Sequence, residues 1–132
     1  MKRIRIIPLL LAAALFVGCG QQHSAKEIVN SFLDGQLTKK DLSIKGFSKL
    51  DSTVYITDSM IKVMRDDASK NPIFVQPIHY APGKYTNQLK FLRITYVLTD
   101  NSGNKTEYKQ TYYLDNSLTR VICFKQDGEK KK

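Results

Sequence analysis

Apolar residues recur along this chain with a period that changes once, near Pro72. Before it the spacing is helical. Ala25, Ile28, Val29, Phe32, Leu33 and Leu37 fall three or four apart and predict one apolar stripe on a helix. Ser24 and Glu27 have the spacing of a capping box at its start, and Gly35 is a plausible stop. Residues 38–55 follow neither period. Thr38 and Asp41 permit a short helical turn over Leu42 and Ile44, ended by Gly46. A second helix is clearer: Thr57 or Asp58 caps it, Met60, Ile61, Val63 and Met64 supply its apolar positions, and Lys70-Asn71-Pro72 stops it.

After Pro72 the period becomes two. Ile73 to Tyr80 is a candidate strand that Pro77 confines to an edge or a bulge. Leu89 to Thr99 is the strongest strand, with Leu92, Ile94, Tyr96 and Leu98 on one face. Asp100 to Asn104 predicts a hairpin loop, Lys105 to Leu114 a returning strand, Asp115-Asn116-Ser117 a turn and Leu118 to Lys125 a last strand. Helices first and an antiparallel meander afterwards define an α+β fold, with an N-terminal helix, or two, packed on a curved sheet.

The front of the chain has a different character. Lys2, Arg3 and Arg5 precede the apolar run Ile6 to Val17, and Gly18, Cys19, Gly20, Gln21 and Gln22 follow. A dozen apolar residues cannot span a bilayer, which takes ~20, but they suit a secretory leader. Leu15-Phe16-Val17-Gly18-Cys19 resembles the lipobox of bacterial lipoprotein signals, with Phe16 where an aliphatic residue is usual. The resemblance implies cleavage after Gly18, diacylglycerol on the Cys19 thiol and an acylated new amino terminus, and several acyl chains anchor a protein firmly. Gly20, where retention in the inner membrane calls for Asp, implies the periplasmic face of the outer membrane. Under this reading residues 1–18 are a signal, 19–23 the lipidated Cys19 and a polar tether, 24–126 one domain, and 127–132 a disordered basic tail.

The layout also resembles the cystatin-like and NTF2-like group found in small lipoproteins of Bacteroidota, in which a long helix lies on a curved sheet. The stretch from Thr111-Tyr112-Tyr113-Leu114-Asp115 to Val121-Ile122-Cys123-Phe124-Lys125 resembles their closing hairpin. The resemblance carries a fold and no active site. Asp51-Ser52-Thr53 and Asp58-Ser59-Met60 also resemble the short O-glycosylation signal of such exported proteins, although helix capping explains Asp58-Ser59 equally well.

Charge and chemistry narrow the function. The chain carries 21 Lys and Arg against 12 Asp and Glu, a net charge of +9. Nucleic acid is a poor partner for an exported chain whose basic residues form no run interleaved with aromatics. Lys130, Lys131 and Lys132 read as a solvated end or as a contact for anionic head groups. Cys123 has no partner once Cys19 is acylated, and its apolar neighbours predict burial. Of two histidines, His23 falls in the tether and His79 in a strand. There is no Cys-x-x-Cys, no His-x-x-x-His, no nucleophile motif and no phosphate loop, and the adjacent pair Asp66-Asp67 diverges on a helix. Neither a cofactor nor a metal is expected.

Tyrosine is the one unusual resource. Tyr80, Tyr96, Tyr108 and Tyr112 are candidate contacts, walling a pocket for a ligand or peptide if they are not simply packed across strands. Ala81 to Lys84, between Tyr80 and Tyr85, is a candidate contact loop. The expectation is a non-enzymatic module tethered to a membrane through Cys19, binding an envelope protein or a small ligand. Alternatives are an inhibitor or immunity protein against an envelope hydrolase, and an NTF2-like binding protein or enzyme. The enzyme reading requires His79 and a carboxylate to face one cavity.

Overall fold

The computed structural model describes residues 20–38 and 41–132; the leader, Gly18 and Cys19 lie outside them. Two helices pack on a five-stranded antiparallel open sheet. The order is α1 (20–36), β1 (Leu42–Phe47), β2 (Asp51–Thr53), α2 (Asp58–Ala68), β3 (Leu89–Thr99), β4 (Lys105–Asp115) and β5 (Val121–Lys131). The sheet runs β1-β3-β4-β5, and β2 shares the β1 edge of β3. β3, β4 and β5 are the expected meander.

Alternation along the strands divides the core. Leu92, Ile94, Tyr96 and Leu98 of β3 face one side with Tyr108, Tyr112 and Leu114 of β4. Ala25, Val29 and Leu33 of α1, with Leu37 just beyond its end, cover them. The neighbouring residues Tyr113 and Cys123 point the other way and pack with Ile61 and Met64 of α2. α2 thus lies along β5, the edge strand, and Thr57 caps it by accepting from the Met60 amide. The ladder between β4 and β5 shifts register between Tyr113 and Leu114, leaving Ile122 without a partner residue. Arg65 Nε donates to that carbonyl at 2.8 Å. The bulge therefore leaves no orphan acceptor.

Four expectations change. The first helix does not start at Ser24, because residues 20–23 are already helical. Glu27 pairs with His23 one turn back at 3.0 Å instead of capping. Polar residues expected to form a tether are bonded to the body of the domain: Gln22 donates to Ser48 O at 3.0 Å and accepts from the Leu50 amide at 2.7 Å, both in the link between β1 and β2. Second, Leu42–Phe47 and Asp51–Thr53 are strands where a helical turn was expected over Leu42 and Ile44, and β1 is exposed along four of its six positions. Third, Ile73 to Tyr80 is not a strand. It crosses the end of α1 with one bridge, Phe74 to Leu37, and Gln36 ties it down through its carbonyl to Val75 N and its side chain to His79 N. Pro77 has no amide with which to extend pairing. Fourth, the basic tail is ordered: Asp127 to Lys131 continue β5, with Lys131 opposite Thr106.

The turn before β5 is built around Asp115. Its carboxylate accepts from Thr119 N at 2.7 Å, Thr119 Oγ1 and Arg120 N at 3.0 Å, and pairs with the Arg120 guanidinium at 3.5 Å. Burial acts to raise its pKa, but the Thr119 and Arg120 bonds and the Arg120 charge outweigh it and hold the pKa below the ordinary value. The folded state therefore gains stability above the unfolded pKa of ~3.9 and loses it as pH falls through the lowered folded value. Asp115→Asn is expected to cost ~1–3 kcal/mol near neutrality, because one oxygen keeps neutral bonds while the other becomes an NH2 group that cannot accept. Urea melts of both proteins should converge at acid pH; a gap that persists there means the charge is not what stabilises the turn.

Candidate functional site

The sheet face that carries the candidate tyrosines is filled. Tyr96 and Tyr112 are fully buried under α1, and Tyr108 is buried beside Tyr96 with ring centroids 5.6 Å apart. Both buried hydroxyls donate to one acceptor, Gln110 Oε1, at 3.0 Å from Tyr96 and 2.8 Å from Tyr112. Gln110 Nε2 donates in turn to Gln126 at 3.2 Å. Tyr112 stacks on Phe124 at 4.9 Å. Burial pushes both tyrosine pKa values far up, so these groups are neutral packing elements with satisfied hydroxyls. Three of the four tyrosine candidates are thus core.

Tyr80 is different. It is half-buried, tilted against Phe32 at 5.9 Å, and carries the Arg65 guanidinium 4.2 Å from its ring centre. Its hydroxyl is buried without a partner among the described residues. Burial pushes its pKa up to about 12, against the opposing charge of Arg65. The adjoining turn Ala81 to Lys84 is pinned rather than presented: Arg120 donates to the Lys84 carbonyl. Gly83 has φ +146°, and a Cβ there would meet Arg120 Cζ at 2.8 Å, so only glycine lets the guanidinium pass.

An opening of about 530 Å³ lies between α1, the loop at His79 and the turn at Thr119 and Arg120. Glu27 and His79 both line it, the juxtaposition that the enzyme reading requires. Glu27, however, is already engaged by His23, and both side chains of that pair are well exposed. Arg120 is held by Asp115. The opening brings charged groups together without a desolvated acid or base aimed at a common point.

The other prominent feature is apolar. Ile61, Met64 and Ala68 form the buried stripe of α2, and its other two apolar positions, Met60 and Val63, are exposed. With the segment before α2 they leave Val54 50 %, Tyr55 82 %, Met60 44 % and Val63 57 % exposed. A groove of about 340 Å³ runs there between Met60, Val63, Met64 and Tyr113, with Lys125 at its rim. Sequence reasoning missed this surface because four apolar residues on an 11-residue helix read as one core face; only i, i+3, i+7 spacing from Ile61 separates the buried set from the rest.

Cys123 is buried as expected, its Sγ 3.9 Å from Met64 Sδ, and burial pushes its pKa up to about 12 despite Arg65. Among the described residues no group of three or more His, Cys, Asp or Glu is placed to hold a metal ion, and no described helix is long and apolar enough to cross a membrane. No protein-family model matches the chain, and neither a curated protein nor a solved structure matches it.

Proposed function

We propose that this chain is a lipid-anchored envelope protein, cleaved after Gly18 and acylated on Cys19, that serves as a non-enzymatic binding module for another envelope protein at the periplasmic face of the outer membrane. The observation that carries the binding role is the contrast between a tyrosine-filled sheet face and an exposed apolar groove between Met60, Val63, Met64 and Tyr113, with Tyr55 exposed just before the same helix. A contiguous apolar surface rimmed by polar groups is what a protein partner covers. The leader pattern Leu15 to Cys19 supports the anchor. A long helix laid on a meander supports the cystatin-like outline.

Photo-crosslinking in the host tests the surface. A crosslinking residue at Tyr55 or Val63 is expected to give one discrete adduct, absent from Thr106 at the far end of β4 and lost when Met60→Asp is added. Adducts of equal yield from Thr106 would overturn the assignment. Metabolic labelling with a palmitate analogue tests the anchor: wild type takes label and Cys19→Ala does not. A second reading, a small ligand between helix and sheet, draws support from the opening lined by Glu27, His79 and Arg120. It predicts ligand-dependent thermal stabilisation that Ser31→Trp removes by filling the opening.

A further inference from the structure

We infer that the domain is seated directly on the bilayer through the end of the sheet where α1 begins, with no flexible spacer. This rests on the reading that Cys19 carries lipid. Gly20 is already helical, and adjacent Cα atoms are ~3.8 Å apart, so the acylated residue is one peptide unit from folded structure. The helix start is also fixed to the sheet. Gln21 Oε1 accepts from Lys90 Nζ at 3.0 Å, and Gln22 spends both halves of its amide on Ser48 and Leu50. The residues expected to form a loose leash are side-chain clamps.

The strand registers define which part of the molecule this is. Leu89 pairs with Asp115 and Leu114 with Val121 at the anchored end, whereas Thr99 pairs with Lys105 and Thr106 with Lys131 at the other. Eleven residues of strand at ~3.4 Å each separate these ends by about 34 Å. The membrane-facing surface then comprises Ser48 to Leu50, β2 and Lys90. The hairpin at Asp100 to Asn104 and the basic residues Lys130 to Lys132 stand away from it.

Two lysines lie beside the anchor. Lys90 bonds to a neutral amide, so its charge, with that of Lys49, remains available to lipid phosphates beside the anchor. Of the acidic residues at this end, Asp51 accepts from the Ser52 amide and Asp115 is paired with Arg120. At the far end Lys132 is paired with Glu107 at 3.4 Å, and Glu129 lies in the same strand as Lys130 and Lys131.

Spin labels test the seating. Full-length Lys49→Cys and Ser102→Cys proteins are matured in the host, and intact mass establishes whether Cys19 is acylated. A bare Cys19 or a retained leader refutes the lipid reading on its own. The acylated proteins are reconstituted in vesicles of phosphatidylethanolamine and phosphatidylglycerol that carry a chelated nickel lipid. Broadening of the label at position 49 is expected to exceed that at 102 several-fold. Gly/Ser residues inserted between Cys19 and Gly20, combined with Gln22→Ala, are expected to bring the two labels close together. Equal broadening at 49 and 102 without the insertion, on protein shown to be acylated, overturns the seating and leaves the anchor standing.

Discussion

Gln110→Leu lowers the unfolding free energy by ~2–6 kcal/mol, because it strands two buried hydroxyls, each costing about 1–3 kcal/mol when unsatisfied. Gln110 is fully buried, and its single carbonyl oxygen accepts from both Tyr96 and Tyr112. The shape of the side chain is nearly kept, so the loss measures hydrogen bonding more than volume. Tyr96→Phe or Tyr112→Phe alone costs less, ~1 kcal/mol, since Gln110 keeps one donor and its own bond to Gln126. The triple substitution with both phenylalanines recovers much of the loss, because the two hydroxyls that Gln110 satisfied are then gone. Urea denaturation checks all four variants. A triple variant as unstable as Gln110→Leu would show that repacking, not the lost acceptor, sets the cost.

Phe124→Ala is the second large effect, ~3–5 kcal/mol, the usual range for truncating a fully buried phenylalanine. Phe124 joins three parts of the chain: its ring lies 5.7 Å from Phe32 of α1, 4.8 Å from Phe74 behind α2, and 4.9 Å from Tyr112 of β4. Set against a typical stability of ~5–15 kcal/mol, the loss leaves a marginal fold. The expected signature is a lower denaturation midpoint with an unchanged slope. Phe124→Leu keeps much of the packing and costs less. A loss below ~1 kcal/mol in Phe124→Ala would mean that the three parts do not share one core.

These two sites also show how far the sequence could be read. Period-two alternation places β3 at Leu89–Thr99 and puts Tyr96 and Tyr112 on one face of the sheet. It does not say whether that face is open, because a tyrosine that walls a pocket and one that packs have the same spacing. Gln110 falls on the same face as Tyr108 and Tyr112 by the same alternation, and a polar residue at such a position signals a closed interior only once its hydrogen-bond partners are known. The misread ends share a cause. Gln21-Gln22 and Lys130-Lys131 are polar and bury little, so nothing in their hydrophobicity marks order. Their structure comes from partners distant in the chain: Ser48, Leu50 and Lys90 at one end, β4 at the other. Likewise β1 pairs along one edge only and exposes Ile44, so it lacks a core-facing pattern.

The two ends of the described chain emerge at opposite poles of the sheet, residue 20 near Lys90 and Lys132 beside Lys105. Tension applied between them acts parallel to the strands. It shears β5 against β4, loading many ladder hydrogen bonds together instead of opening them one by one like a zip. A domain held at both poles would resist stretching far better than its modest size implies.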